Sequence, residues 1–260
     1  MIDDLKVSLV QADLVWGDVN ANLEKFSQLL NDMKEDSDLI VLPEMFTTGF
    51  SMEGKEETAR QEPVTLEWMK RMAAQKSASL IGSIVVEDQK QFYNRLFVVN
   101  PSGEYQYYDK RHLFRMGQEH RHFGQGTTPL IVQIGNWRVR PLICYDLRFP
   151  VWSRNRNDYD LLIYIANWPE SRRDVWNTLL KARALENQAF VTGVNRVGRD
   201  GMGLQYSGDS VLWDARGKAI GRCDDFVEMV QTVNLSLAEL NEFRKKFPVH
   251  FDADSFEILP

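Results

Sequence analysis

Two cysteines among 260 residues, Cys144 and Cys223, are too few to staple a chain of this length. A disulfide scaffold is therefore excluded, and both thiols fit a reducing compartment in which they stay free for chemistry. Long apolar runs are missing as well: stretches such as Leu161 to Ala166 fall far short of the roughly 20 residues needed to cross a bilayer. Positive charge is in deficit, with 31 Lys and Arg against 37 Asp and Glu for a net charge of −6. Such a surface offers no general attraction to phosphate backbones or anionic lipid, so neither nucleic acid nor membrane is an expected partner. The opening segment Met1 to Lys6 lacks a cationic region and an apolar core, so no secretory signal is expected and the protein reads as cytoplasmic. Gly (16) and Pro (9) are too sparse for a fibrous or low-complexity chain, while 43% hydrophobic residues supply a large core. With no linker composition or repeat, residues 1–260 read as a single domain.

What is present is an alternation of strand-like and helix-like segments. Leu5 to Ala12 reads as a strand, and Val19, Leu23, Phe26, Leu30 and Met33 recur at helical steps. Asp38 to Leu42 reads as a buried strand. Pro63 opens a second helix with Val64, Trp68, Met69 and Met72 on one face, and Leu80 to Val86 with Phe92 to Asn100 reads as a hairpin. Glu104 to Asp109 reads as a further strand. The stretch Lys110 to Thr128 is polar and aperiodic, and long enough to suspect function. The second half repeats the pattern: Leu130 to Ile134, Trp137 to Cys144, a short helix near Pro150, Tyr159 to Ala166, and a helix from Arg172 to Gln188 with Val175, Leu179 and Ala182 on one face. Phe190 to Asn195, Gly208 to Asp214 and Val227 to Val233 follow as strands. The fold class is α/β with a mixed sheet or two. From about Phe243 to residue 260 an aromatic tail is expected to dock on its own domain or on a second subunit.

Cys144 falls where a buried strand gives way to a helix. Such a bend exposes a side chain at the sheet edge and brings backbone N–H groups toward an oxyanion. A packed structural thiol is the commoner use of a free cysteine, so position alone does not decide. A Cys nucleophile calls for a base and a cation nearby. Glu44, at the end of the buried run Leu39 to Pro43, and Lys110, at the end of Tyr105 to Asp109, are the candidates. Each also reads as an ordinary strand-end charge.

Three segments decide between these uses. Leu42-Pro43-Glu44-Met45-Phe46, Tyr108-Asp109-Lys110-Arg111-His112-Leu113-Phe114 and Ile143-Cys144-Tyr145-Asp146-Leu147-Arg148-Phe149-Pro150 resemble, in order and in spacing, the Glu, Lys and Cys motifs of the nitrilase superfamily of carbon-nitrogen hydrolases. Pro43 to Met52, Ala166 to Pro169 and Lys181 to Gln188 look most like its bacterial omega-amidase branch. The resemblance implies a four-layer αββα sandwich, no metal or organic cofactor, a homodimer, and a small amide substrate such as 2-oxoglutaramate or 2-oxosuccinamate. It further implies that Cys144 attacks the amide carbon, Glu44 moves the proton, and Lys110 with the backbone N–H of Tyr145 supports the oxyanion. Glu119 resembles the family's second glutamate.

An omega-amide carries a carboxylate at its far end, which calls for the fork of an arginine. Arg172, Arg173 and Arg115 are the choices, with Arg172 favoured, and Phe46 and Trp168 are expected to wall the pocket. Pro141 lies inside the strand before Cys144 and predicts an edge or a bulge there. His112, His120 and His122 with Glu119 lack metal-ligand spacing, and no order or flanking motif supports a papain-like Cys-His pair. Gly198, Gly201 and Gly203 do not form a dinucleotide or phosphate loop and read as turn residues. The competing functions are an N-carbamoyl amidohydrolase using the same three residues and a catalytically silent binding member.

Overall fold

Neighbouring residues of one strand go to different cores, as expected of sheets covered on both faces. The computed structural model describes residues 4–258, so the expectations for Met1 to Asp3 and for residues 259 and 260 fall outside it. Strand β1 (Asp4–Gln11) is followed by helix α1 (Val19–Asn31), whose first turn is capped by the Asp18 carboxylate accepting the Ala21 N–H at 3.0 Å. Then come β2 (Leu39–Val41), α2 (Lys55–Arg60), α3 (Glu62–Lys76), β3 (Ser79–Asp88), β4 (Gln91–Val99) and β5 (Tyr105–Asp109). Leu5, Val7, Leu9, Leu39, Val41, Leu96 and Val98 share one core, while Val10, Ile40, Phe97 and Val99 face the other, against α1 and α3.

The second half runs β6 (Val132–Ile134), β7 (Trp137–Ile143), α4 (Pro150–Ser153), β8 (Leu161–Ala166), α5 (Arg173–Asn187), β9 (Phe190–Asn195), β10 (Val197–Arg199), β11 (Gln205–Ser207), β12 (Val211–Trp213) and β13 (Ala219–Arg222). Strand β14 (Met229–Ser236) returns to pair antiparallel with β1, and α6 (Leu237–Lys246) follows it. The result is two six-stranded sheets, ordered β14-β1-β2-β3-β4-β5 and β13-β12-β9-β8-β7-β6, with β10-β11 as a separate hairpin. Residues from both sheets share the first core, and α5 closes the far side of the second sheet by laying Trp176 and Leu180 over Gly193. The layers are helix, sheet, sheet, helix, the expected fold.

Strands β1, β2 and β3 run parallel, and so do β7, β8 and β9. β5 is two antiparallel steps from β3, so its carboxyl end lies with theirs. That places the residues after β2 and β5 on one sheet edge, where open α/β folds put their sites.

Several local expectations need correction. The buried face of α5 carries Trp176, Leu180, Arg183, Ala184 and Asn187, one step round from Val175, Leu179 and Ala182, which are only half-buried. Val64 is 60% exposed and off the buried face of α3. Pro141 sits in a strand segment paired with β8 on one side, while β6 reaches only to Val139 on the other, so the missing N–H is met by an edge rather than a bulge. Phe243 and Arg244 belong to α6, not to an irregular tail. Arg244 ties that helix to the domain through Asp160 at 2.6 Å and the carbonyls of Gln188 and Tyr159. Beyond it, Arg156 donates to the Phe256 carbonyl at 2.6 Å, whereas Phe247 and Phe251 face solvent.

Candidate active site

Glu44, Lys110 and Cys144 each follow the last residues of a strand, β2, β5 and β7 respectively, and the fold brings them together. Lys110 Nζ donates to Glu44 Oε1 at 2.7 Å and to Glu119 Oε1 at 3.0 Å, with all three side chains fully buried. The half-buried Cys144 thiol shares a pocket with Lys110 and feels the charges of Glu44, Lys110 and Glu119. Glu119 is delivered by the long loop after β5, which winds through short turns at Arg115–Gly117 and Glu119–Arg121. Its Oε2 accepts the Phe114 N–H at 2.6 Å, fixing the loop on the carboxylate. Gly126 then returns over Lys110 and donates to its carbonyl at 2.9 Å; a Cβ there would meet the Asp109 carbonyl oxygen, so only glycine fits.

Two asparagines complete the cluster. Asn167, just past β8, gives its backbone N–H to Glu44 Oε2 at 2.8 Å and its Nδ2 to the Glu44 carbonyl at 2.6 Å. Asn94 on β4 gives Nδ2 to Glu44 Oε1 at 2.9 Å and lies 3.4 Å from Glu119 Oε1. Neither stood out as a site residue from sequence. A signal for Asn94 was present: it is a polar residue in phase with Leu96 and Val98, on the strand face that packs between the sheets.

Electrostatics follow from two carboxylates sharing one ammonium. Burial works against a charged Lys110, but the flanking Glu119 and Glu44 outweigh it and hold the ammonium more firmly than in free lysine. Burial raises the Glu119 carboxyl pKa, Lys110 opposes that, and Glu44 adds to it. The Cys144 thiol is pushed well above its ordinary range by burial and then by Glu44, with Lys110 opposing. The shift favours the neutral thiol over a preformed thiolate.

The Cys144 turn is held from behind. Cys144 has φ of +44°, a left-handed conformation that costs a non-glycine residue about 1–3 kcal/mol unless its surroundings enforce it. Asp146 supplies the enforcement: buried, it accepts the Ile143 N–H at 3.0 Å, the Tyr108 hydroxyl at 2.8 Å, and the His112 N–H and Nδ1–H at 3.0 and 2.8 Å. His112 stacks on Phe149 at 3.8 Å, so this histidine serves the turn. Among the described residues no group of three or more His, Cys, Asp or Glu is arranged to hold a metal ion.

The cluster opens into a pocket of about 470 Å³, counting the space open to solvent at its mouth, where Cys144 and Lys110 meet Phe50, Phe114, Tyr145, Trp168, Leu204 and Tyr206. Arg148 and Arg172 line it too, lying 5.4 Å from the rings of Trp168 and Phe114 respectively. Neither guanidinium is in an ion pair among the described residues. Of the expected pocket residues, Arg172, Trp168 and Tyr145 are present. Phe46 is not: its ring lies over Gly82 between Phe26 and Trp68, in the core under α1 and α3. The chain turns at Met45, whose φ is +44°, and the turn carries the ring away from Glu44. Arg173 is committed to Asp209 and Asp225, and Arg115 does not line the pocket. Arg148, Phe50, Leu204 and Tyr206 were not anticipated; the last two arrive on the β10-β11 hairpin, which the sequence reading left as turns.

Residues 6–245 match the family model described as carbon-nitrogen hydrolase. The chain is 48% identical to omega-amidase YafV of Escherichia coli K12 across 98% of both chains. It is 30% identical to 2-oxoglutaramate amidase of Bacillus subtilis, over 95% of this chain and 96% of that one. A CN-hydrolase superfamily protein of Xanthomonas campestris, solved with an arsenic adduct in its active site, superposes with a TM-score of 0.95 at 42% identity, covering 98% of this chain and 99% of that one. Matched over most of its length in sequence and in fold, the chain belongs to the carbon-nitrogen hydrolase family.

Proposed function

We propose that the protein hydrolyses the omega-amide of small dicarboxylic monoamides, such as 2-oxoglutaramate and 2-oxosuccinamate, to the acid and ammonia. One observation carries this reading: a buried Glu44-Lys110 pair with the half-buried Cys144 thiol beside it opens onto a small, largely apolar pocket whose mouth holds two arginines without carboxylate partners. The similar omega-amidase and 2-oxoglutaramate amidase support it.

In this mechanism Cys144 Sγ bonds to the amide carbon as the thiol proton passes to Glu44. The Lys110 ammonium and the Tyr145 backbone N–H, at the start of the turn after β7, stabilise the tetrahedral oxyanion. Collapse breaks the C–N bond, and Glu44 returns the proton to the departing ammonia. Water then attacks the thioester with Glu44 as base, releasing the carboxylic acid and restoring the thiol. Glu119 holds Lys110 from the other side. The far carboxylate of the substrate takes the guanidinium of Arg172, Arg148 or both, with Trp168 beside it. No residue-held metal or organic cofactor enters this chemistry. The reading extends to a cytoplasmic homodimer, supported by the family resemblance and by the solvent-facing rings of Phe247 and Phe251 near the carboxyl terminus.

Ammonia release from 2-oxoglutaramate and succinamate, beside a neutral amide of similar length and an N-carbamoyl amine, tests the proposal. Turnover of the anionic amides that is lost in Cys144→Ala supports it. Turnover of the carbamoyl amine alone moves the chain to the N-carbamoyl amidohydrolases, and none on any substrate points to a binding role.

A further inference from the structure

Glu44 and Glu119 direct their Oε1 atoms at the same ammonium, 2.7 and 3.0 Å from Lys110 Nζ. Two carboxylates drawn that close repel each other in a site from which water is excluded. A second donor reaches the same two oxygens: Asn94 Nδ2, 2.9 Å from Glu44 Oε1 and 3.4 Å from Glu119 Oε1. It is neutral, so it adds hydrogen bonding without changing the cluster's charge. The Asn94 backbone carbonyl also accepts the Lys110 N–H at 3.0 Å, extending the β4-β5 ladder by one step. One residue thus fixes the lysine's backbone and both of its carboxylate partners. Its own Oδ1 is buried without a protein partner among the described residues, an arrangement that purely structural packing disfavours.

The bonding also distinguishes the two oxygens of Glu44. Oε1 is occupied by Lys110 and Asn94, while Oε2, among the described residues, accepts the Asn167 backbone N–H alone. A carboxylate oxygen has two lone-pair sites. The free one is on Oε2, so that is where the Cys144 proton is received.

We propose that Asn94 is a positioning residue of the hydrolytic reaction: its side-chain amide bridges Glu44 and Glu119, saturates Oε1 of Glu44, and leaves Oε2 as the proton acceptor for Cys144. This rests on the amidase reading above. It touches neither substrate nor thiol, so its removal acts on kcat through the glutamates and leaves substrate binding in place.

The test compares wild type, Cys144→Ala, Asn94→Leu and Asn94→Asp in ammonia release, with reactive thiol titrated so that rates refer to folded sites. Asn94→Leu keeps the volume and removes the donor; kcat is expected to fall about 10- to 100-fold with KM within about twofold, and the acid limb of the kcat/KM profile to move to higher pH. That limb belongs to the Glu44, Glu119, Lys110 and Cys144 cluster as a whole. Asn94→Asp is isosteric and donates only when protonated, so its rate relative to wild type rises as pH falls. A structural role would lower thermal stability without producing either pH signature. Wild-type kcat per titrated thiol in Asn94→Leu, or a pH-independent rate ratio in Asn94→Asp, overturns the assignment while a dead Cys144→Ala leaves the amidase reading intact. Turnover retained by Cys144→Ala overturns both. If Asn94→Leu does not fold, the Asn94→Asp ratio decides.

Discussion

The two ends of the pocket are built on opposite principles. At the floor, Glu44, Lys110 and Glu119 are fully buried and bonded to one another, and Asn94 and Asn167 satisfy further oxygen sites on Glu44. At the mouth, Arg148 is exposed and Arg172 half-buried, and their guanidiniums touch rings rather than carboxylates. A group that moves protons must be held in one geometry before substrate arrives. A group that recognises an anion must be left unpaired until it does, since a bound internal carboxylate would compete with the ligand. On the proposed function, the saturated floor serves the chemistry and the unsaturated mouth the selection.

Breaking the floor should have the largest effect, on fold as well as on rate. Lys110→Met removes the proposed oxyanion donor, worth about 10²- to 10³-fold in kcat, and strands two buried carboxylates, worth about 3–5 kcal/mol of stability. Steady-state kinetics and denaturant unfolding of the same variant measure both; an active, fully stable Lys110→Met contradicts the floor's role.

Glu44→Gln separates two properties that a preformed thiolate would keep together. Burial and then the Glu44 charge raise the Cys144 pKa, so removing that charge lowers it and increases the thiolate fraction at neutral pH. Alkylation of Cys144 by iodoacetamide at pH 7 should therefore quicken as amide turnover is lost. In wild type the alkylation rate should go on rising past the free-thiol value of about 8.5 without levelling there. Slower alkylation in Glu44→Gln would show that the carboxylate promotes the thiolate.

A smaller effect is expected behind Cys144. Asp146→Asn keeps the shape but replaces one acceptor oxygen by a donor, facing either the Ile143 N–H and the Tyr108 hydroxyl or the two donors of His112. The turn that holds Cys144 at positive φ loosens, and kcat should fall about tenfold with KM little changed. An unaltered kcat would make the network structural only.

The division between floor and mouth also explains what could be read from the chain. Glu44 and Cys144 were legible because each ends an apolar run, and Lys110 because three motifs in order resemble one family. The sheets were legible from alternation, down to the hairpin of β3 and β4. Phe46 was misplaced because nearness to Glu44 in sequence says nothing about which side of the sheet a ring takes. The α5 face was misread because its buried positions include Arg183 and Asn187, whose burial is made tolerable by hydrogen bonds to the Leu147 carbonyl and the Asn155 N–H. Helix α6 carried its own start signal, Ser236 accepting the Glu239 N–H, ahead of Leu237 and Leu240. The mouth was hardest, since Leu204 and Tyr206 come from a hairpin whose strands are three residues each, too short for periodicity to register.

On the proposed function the mouth selects what the floor hydrolyses. The direct measurement is kcat/KM of an Arg148→Met/Arg172→Met double variant on succinamate and on a neutral amide of the same length. Each lost charge-assisted contact is worth about 1.5–3 kcal/mol, so the anionic substrate should lose at least about 100-fold, mostly in KM, while the neutral amide is unchanged. An equal loss on both substrates would contradict the account and return the two arginines to a structural role.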